Sequence, residues 1–382
     1  MPTQRPIAII GAGPGGLTCA RILQQHGLAA VVYDLDASPA SRDQGGTLDM
    51  HHDSGQHALR QADLWDEFAA RARPEGQQMR LVGRDGRILF DNVPLETDDV
   101  TEGNPEIDRG QLRDLLLESL HPGTVSWGHK LNRLEPLGDG TYRLHFEGRT
   151  SADADLVVGA DGAWSRVRRI LSAAEPAYTG VTFVETGLGD VDTRHPHLAA
   201  LTGSGTMMAL DDNRGFIAQR SSGGHIRVYI GMRTPQEWHQ QHGVSLTDHD
   251  SVRDALLAQF TGWARDLLDF ITDTDTGYTN RPLFALPVPH TWTHRPGVTL
   301  LGDAAHLMSP FSGMGANLAM LDGSDLARAV IEHPIAEAAV RAYESVMHPR
   351  SLKAAEGAAE GIDSAFAPDS AAQALAHMSQ HN

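Results

Sequence analysis

The chain of 382 residues carries a formal charge of −18, with 41% hydrophobic and 21% charged residues. That balance fits a soluble globular protein with a large core, and the acidic surplus argues against nucleic acid or an anionic membrane as partner. A single cysteine, Cys19, excludes an internal disulfide and any cysteine-based metal cluster.

Met1-Pro2-Thr3-Gln4-Arg5 leads directly into an apolar run, without the pattern of a signal peptide. No apolar stretch reaches the roughly eighteen residues of a membrane span, so a cytoplasmic protein is expected. Ile7-Ala8-Ile9-Ile10, closed by glycine, has the pattern of a buried parallel strand. The turn Gly11-Ala12-Gly13-Pro14-Gly15-Gly16 follows, then a helix over 17–26 stopped by Gly27 and a strand over 29–33 closed by Asp34. Gly11, Gly13 and Gly16 supply the G-x-G-x-x-G spacing: one glycine for the tight turn, one for backbone approach to a pyrophosphate, one for packing helix on strand. Asp34 stands where an acid reaches the adenosine ribose, the alternative being a solvated turn.

Leucines at 112, 115, 116 and 120 line one face of a helix over 109–120 that also carries Arg113. A buried strand over 156–160 ends in Asp161-Gly162, with Ser165, Arg166 and Arg168 entering a helix. Asp161 reads either as a plain N-cap or as part of an element meeting a dinucleotide. From 173 to 267 the pattern changes. Strand-like stretches at 182–186, 206–210, 215–219 and 226–232, joined by Gly, Asp, Asn and Ser turns, predict an inserted antiparallel sheet, to which 79–90 also belongs. A strand over 298–301 then enters Gly302-Asp303-Ala304-Ala305-His306-Leu307-Met308-Ser309-Pro310-Phe311-Ser312-Gly313-Met314-Gly315-Ala316-Asn317. Beyond it the chain reads as helix, with Pro334 and Pro349 at helix starts and Pro368 opening a last short one.

Two glycine-rich sites so far apart suit one long cofactor held at both ends, and FAD fits. Asp303 is placed to bond ribityl hydroxyls. Gly315, Ala316 and Asn317 bring helix-start amides to the pyrimidine edge, where reduced flavin carries its negative charge. A strand followed by a capped helix explains the fold but not two closely spaced glycines before a polar Asn. His239 with His242, and His51 with His52, lack a convergent carboxylate or cysteine pattern, so no metal is expected. His306 reads as structural. Met207, Met208, Phe216, Tyr229 and Met232 are either core or the floor of an aromatic site.

With these motifs in this order the chain resembles the group A flavin-dependent aromatic hydroxylases, nearest the tetracycline-inactivating monooxygenases of the TetX kind. Gly45-Gly46-Thr47-Leu48-Asp49, Asn104-Pro105-Glu106-Ile107-Asp108-Arg109 through Leu112-Arg113, Ala154-Asp155-Leu156-Val157, Arg233-Thr234-Pro235-Gln236-Glu237-Trp238 and Gly302 to Met308 carry the likeness, which covers nearly the whole chain. Pattern and resemblance together imply an α/β fold: a Rossmann-type FAD-binding domain (1–75, 98–172 and 268–333), an inserted antiparallel-sheet substrate domain (76–97 and 173–267) and C-terminal helices (334–382). The resemblance puts FAD contacts on Asp49, Arg113 and Asp303 and an NADPH contact on Arg42, with Arg113 and Pro310 supporting the chemistry. By residue type alone Arg113 is equally a surface arginine.

Where tetracycline-degrading members carry Gln, Arg and His, this chain aligns Ala200, Thr206 and Arg227. His225 shares a strand face with Arg227, and Phe216 completes the expected substrate set. The implied activity is monooxygenation. NADPH reduces FAD, O2 adds at flavin C4a, and the C4a-hydroperoxyflavin hydroxylates a polycyclic aromatic or enol substrate. Tetracycline inactivation stands first; a hydroxylase of polyketide biosynthesis or catabolism, or a non-catalytic drug-sequestering flavoprotein, are the alternatives. A monomer is expected.

Overall fold

In the computed structural model, which describes residues 6–41, 43, 45–93, 103–138 and 140–380 (backbone only for 376–380), the apolar run Ile7–Ile10 is the centre of a five-stranded sheet. Its order is Val298–Leu300, Val157–Gly159, Ile7–Ile10, Ala30–Tyr33, Val125–Ser126, with every pairing parallel. Ile9 lies opposite Val158 on one side and Val32 on the other, so the central strand is apolar on both faces. The first helix, Pro14–Gln25, begins ahead of residue 17, because proline at its first turn presets φ and loses no needed N–H.

Helix Gly315–Glu332 lies against Pro14–Gln25 at backbone contact. A β-carbon on Gly15 would sit 2.4 Å from the Ala319 carbonyl oxygen, and one on Gly323 only 2.3 Å from that of Gly15. The two N-termini therefore open side by side at the carboxyl ends of the sheet.

The second layer is a seven-stranded sheet ordered Thr279–Ala285, Ala177–Leu188, His225–Arg233, Arg214–Ser221, Thr206–Asp211, Met79–Val82, Ile88–Asn92. It is antiparallel except where Thr206–Asp211 meets Met79–Val82. The inserted sheet thus extends past the expected boundary at 267: Arg281 pairs with Phe183, and Leu267, Phe270 and Ile271 enter the core beneath this sheet. Thr279–Ala285 escaped detection because it contains Pro282, which an edge strand tolerates and a central strand does not. A small antiparallel sheet (Leu131–Gly138, Thr141–Phe146, Ala152–Ala154) was also unforeseen, and Thr47–Asp49 pairs with Glu106–Asp108.

The seven-stranded sheet has two distinct faces. Met207, Ala209, Phe216, Ala218, Val228 and Ile230 form a core with Phe260 and Phe270 from the covering helices. The alternate residues, among them Met208, Ile217, Tyr229 and Phe183, face Phe311, Ile362 and Phe366. The long helix Ala336–Ala365 runs through Pro349 instead of starting there. It is anchored on both sides of the proline: Tyr343 donates to the Leu300 carbonyl at 2.9 Å, and Arg350 reaches Asp325 at 2.7 Å and Asp322 at 2.8 Å. Among the described residues no helix is long and apolar enough to cross a membrane.

Phe216 is fully buried against Phe260, Trp263 and Phe270, on the helix-covered face. That face gives it no access to a substrate under the FAD domain, and the expectation of a substrate contact is corrected accordingly. Phe216→Ala should cost about 3–5 kcal/mol in urea unfolding while leaving flavin content at the wild-type level; an unchanged unfolding midpoint would contradict the face assignment.

Candidate active site

The glycine turn divides its tasks as the spacing predicts. Gly11 has φ +112°, and a β-carbon there would lie 2.2 Å from the Ala160 carbonyl oxygen. On Gly16 it would lie 2.3 Å from the Gly11 oxygen, so both positions are closed by sterics. Gly13 is different: among the described residues nothing lies within 4 Å of a β-carbon built there. Gly13 is also the N-cap of helix Pro14–Gln25, with no side chain capping it. The helix start thus has no side-chain acceptor of its own beside the open space at Gly13, which suits an anion.

Asp34 is buried and buttresses this turn, accepting from the Ala12 amide at 2.6 Å and the Asp36 amide at 2.8 Å. Arg113 is buried as well, not a surface arginine. Its guanidinium donates to the Ala12 carbonyl (3.2 Å) and the Pro39 carbonyl (2.9 Å), and pairs with Asp36 at 3.5 Å. Arg42 lies outside the described residues.

At the second glycine site Asp303 opens the short helix Asp303–His306, exposed, and its carboxylate accepts no hydrogen bond among the described residues. Gly315 opens the next helix, again without a side-chain cap and with nothing within 4 Å of a β-carbon among the described residues; Ala316 follows it. Asn317 is fully buried and its amide is consumed by protein. Oδ1 accepts from the amides of His51 (2.9 Å) and Gly55 (3.1 Å), and Nδ2 donates to the Asp49 carbonyl at 2.8 Å. Its side chain therefore clasps the segment carrying Asp49 to the helix start. The Asp49 carboxylate takes a 2.7 Å hydrogen bond from His51 Nε2, which pushes the His51 imidazole up from its ordinary value.

Asp161 caps the turn after its strand, accepting from Ser165 Oγ at 2.5 Å and the Arg166 amide at 2.7 Å. Burial nevertheless pushes its carboxyl up. The buried Arg168 joins this motif to the last one, donating to the carbonyls of Ala163 (2.7 Å) and Ala304 (3.0 Å).

On the substrate side the structure places Thr206, Arg227 and His225 on one face of the seven-stranded sheet, and Ala200 and Phe216 elsewhere. Thr206 is on the inner face of the seven-stranded sheet, in register with Gln219, which in turn pairs with Arg227. Arg227 is bound to Glu185 and Asp43. His225 is exposed at the start of its strand, beside Gly189 and Gly223. Ala200 belongs to helix Pro196–Thr202, where its carbonyl accepts from Arg80. Pro310 starts the turn Pro310–Ser312, whose Phe311 ring lies 6.1 Å from Phe183 and 5.5 Å from Phe366 between ring centres.

A family model described as FAD binding domain matches residues 4–358. The chain belongs to that family. Monooxygenase penA of Penicillium thymicola is 31% identical over 406 aligned positions, covering 91% of this chain and 92% of that one. HpxO of Klebsiella pneumoniae, solved with FAD and uric acid, superposes with a TM-score of 0.81 at 22% identity, covering 99% of this chain and 93% of that one. The tetracycline destructase Tet(55) does so with a TM-score of 0.75 at 21% identity, covering 100% and 95%. The protein is an FAD-dependent monooxygenase.

The monooxygenase holds groups that the motifs did not announce. Glu185 stands between Phe183 and Gly187 on the inner sheet face, and an acid in so apolar a strand was a usable signal. Glu106 is pushed up to about 7, burial being the largest cause. His306, read as structural, is fully buried with Nε2 2.6 Å from Asp322, which also accepts from the Gly302 amide and Arg350. Burial alone would lower His306, but the Asp322 charge and hydrogen bond lift it; burial alone would raise Asp322, but His306 and Arg350 hold it down.

The histidine stabilises the fold below its unfolded value of about 6.5, and loses that contribution as pH rises through its raised folded value. The aspartate stabilises above its unfolded value of about 3.9, and loses that contribution as pH falls through its lowered folded value. Asp322→Asn should therefore cost about 3–5 kcal/mol near pH 6, shrinking as acid protonates the wild-type carboxylate; unfolding curves that keep a constant difference down to about pH 2 would refute the pair. Asp303→Asn should raise the Kd for FAD on the order of tenfold or more, read by flavin fluorescence after ultrafiltration. Unaltered retention would remove Asp303 from the cofactor site.

Proposed function

We propose that this monooxygenase uses NADPH and O2 to insert one oxygen atom into an electron-rich polycyclic aromatic or enolic substrate, held between the FAD-domain loops and the inner face of the seven-stranded sheet. One oxygen atom enters the substrate, the other leaves as water, and NADPH supplies two electrons. The observation that carries this reading is the pair of adjacent, uncapped helix starts at Gly13 and Gly315, each with open space above it, together with the exposed, unbonded Asp303. These donors and this acceptor fit FAD.

FAD, when bound, supplies electron transfer and the activation of O2. The protein supplies placement. Amides after Gly13 would hold the pyrophosphate, and Asp303 would accept from ribityl hydroxyls. The amides at Gly315 and Ala316 would face the pyrimidine edge, where the positive helix end favours negative charge. Phe311 against Phe183 and Phe366 closes one border to water. The NADPH contact is proposed at Arg42.

Tetracycline is the substrate favoured by the quoted sequence stretches. Hydroxylation of a different polycyclic aromatic, of polyketide type, is favoured by the substrate side itself, where Ala200 is on a helix and Arg227 is tied to two carboxylates. The deciding measurement is NADPH-dependent turnover of tetracycline by the FAD-loaded protein with mass spectrometry of the product. A product heavier by one oxygen atom establishes tetracycline as substrate. NADPH oxidation with unaltered tetracycline points to the other aromatic class. If FAD does not bind, the whole reading falls.

A further inference from the structure

The inner face of the seven-stranded sheet has a polar end built around one acid. Glu185, with 11% of its side chain exposed, is bound by Arg227 through one carboxylate oxygen and by Arg281 through the other. Arg227 turns its second Nη to Asp43, from the segment following the second strand of the FAD domain. Two arginines thus meet two carboxylates, and neither guanidinium is left without a counter-charge.

The strand pair Thr47–Asp49 and Glu106–Asp108 continues the acidic character. Asp49 is directly across from Glu106 and Thr47 across from Asp108, so these side chains share one face. Asp108 reaches the sheet by accepting from the Ser222 amide at 3.3 Å, and pairs with Arg73 at 3.5 Å.

Two neutral polar tips converge beside these ion pairs. A β-carbon on Gly46 would lie 2.9 Å from Gln219 Oε1 and 3.1 Å from the Tyr229 hydroxyl, with Arg227 Cδ next at 3.5 Å. Neither the Gln219 amide nor the Tyr229 hydroxyl is hydrogen-bonded among the described residues. Tyr229 is largely buried, and burial pushes its phenol up, so it stays a neutral donor. Arg109 is exposed beside Gly45 and forms no ion pair among the described residues; it marks the rim of the site.

We infer that the site selects a substrate whose polar end is a neutral hydrogen-bonding group, such as an amide, ketone or phenol, against one ending in a carboxylate, and that Glu185 is the positioning residue that sets this choice. An entering carboxylate would meet arginines already neutralised and would stand beside Glu185 and Asp43, which repel it. A neutral amide or phenol would instead exchange its water contacts for Gln219 and Tyr229, groups that can both donate and accept. The inference rests on the proposed placement of substrate against this sheet face.

The test uses the FAD-loaded protein and two ligands that share one ring system, 3-hydroxy-2-naphthamide and 3-hydroxy-2-naphthoate. Kd is read from the perturbation of flavin absorbance, separately from NADPH oxidation. The amide should bind at least about tenfold tighter than the acid. In Glu185→Gln, which removes the carboxylate facing Arg281 and leaves Arg227 with Asp43 alone at constant shape, that ratio should collapse or invert; Asp43→Asn should shift it in the same direction. A loss of packing alone would weaken both ligands together. A wild-type preference for the acid, through Arg109 or otherwise, overturns the inference, as does a ratio unchanged in both variants, or no binding of either ligand. If instead the amide is preferred but neither ligand supports oxygen insertion, the charge selection stands and the placement of substrate for reaction is what fails.

Discussion

The contact on which the molecule depends is made between backbones, where helices Pro14–Gln25 and Gly315–Glu332 touch through Gly15 and Gly323. Ordinary side chains keep helix axes about 8–10 Å apart; here a single β-carbon at either glycine would collide with the facing main chain. Distant stretches of sequence thereby present their uncapped starts side by side at the carboxyl ends of the parallel sheet. Each start is a weak site for negative charge alone. Together they match a cofactor with a pyrophosphate at its middle and an electron-accepting ring at one end.

Such closeness has to be held against the unsatisfied polar groups it buries, and two fasteners do so. Asn317 closes the front by taking the amides of His51 and Gly55 and giving its own N–H to the Asp49 carbonyl. Asp322 closes the back, with His306, Arg350 and the Gly302 amide on one carboxylate. A buried carboxylate left alone would be strongly destabilising; one with this many donors is satisfied, and it fixes the turn from which Asp303 projects. Rigidity at the second glycine site is therefore a property of residues that do not face the cofactor.

This division explains what sequence reading reaches. The β-α-β unit, the two glycine sites and the inserted sheet were legible because each is a local pattern: period, turn residue, spacing. Asn317 was legible as a position but not as a role, since only the fold brings residues 49–55 to its amide. Phe216 failed for a related reason. Alternation shows that Phe216 and Ile217 face opposite ways, but not which way faces the FAD domain. The helical run through Pro349 and the edge strand containing Pro282 show tertiary anchoring and edge position overriding a local preference. Arg227 was chosen for its charge, and sequence alone does not reveal that Glu185 and Asp43 occupy it.

The same reasoning separates the two halves of the site by how each is specified. The cofactor half is made mainly of main-chain amides and bare glycines, so it tolerates little change and is written in short motifs. The proposed substrate half is made of side chains on alternate positions of the sheet, on the face opposite the outer core of Phe216, Phe260 and Phe270. One substitution there, of the order of Glu185 to a neutral residue, alters the electrostatics of the inner face while leaving the strand pairing intact. Flavin chemistry is therefore the part of this protein that its motifs point to, and on the selection inferred above substrate choice follows from which charges the inner sheet face already neutralises.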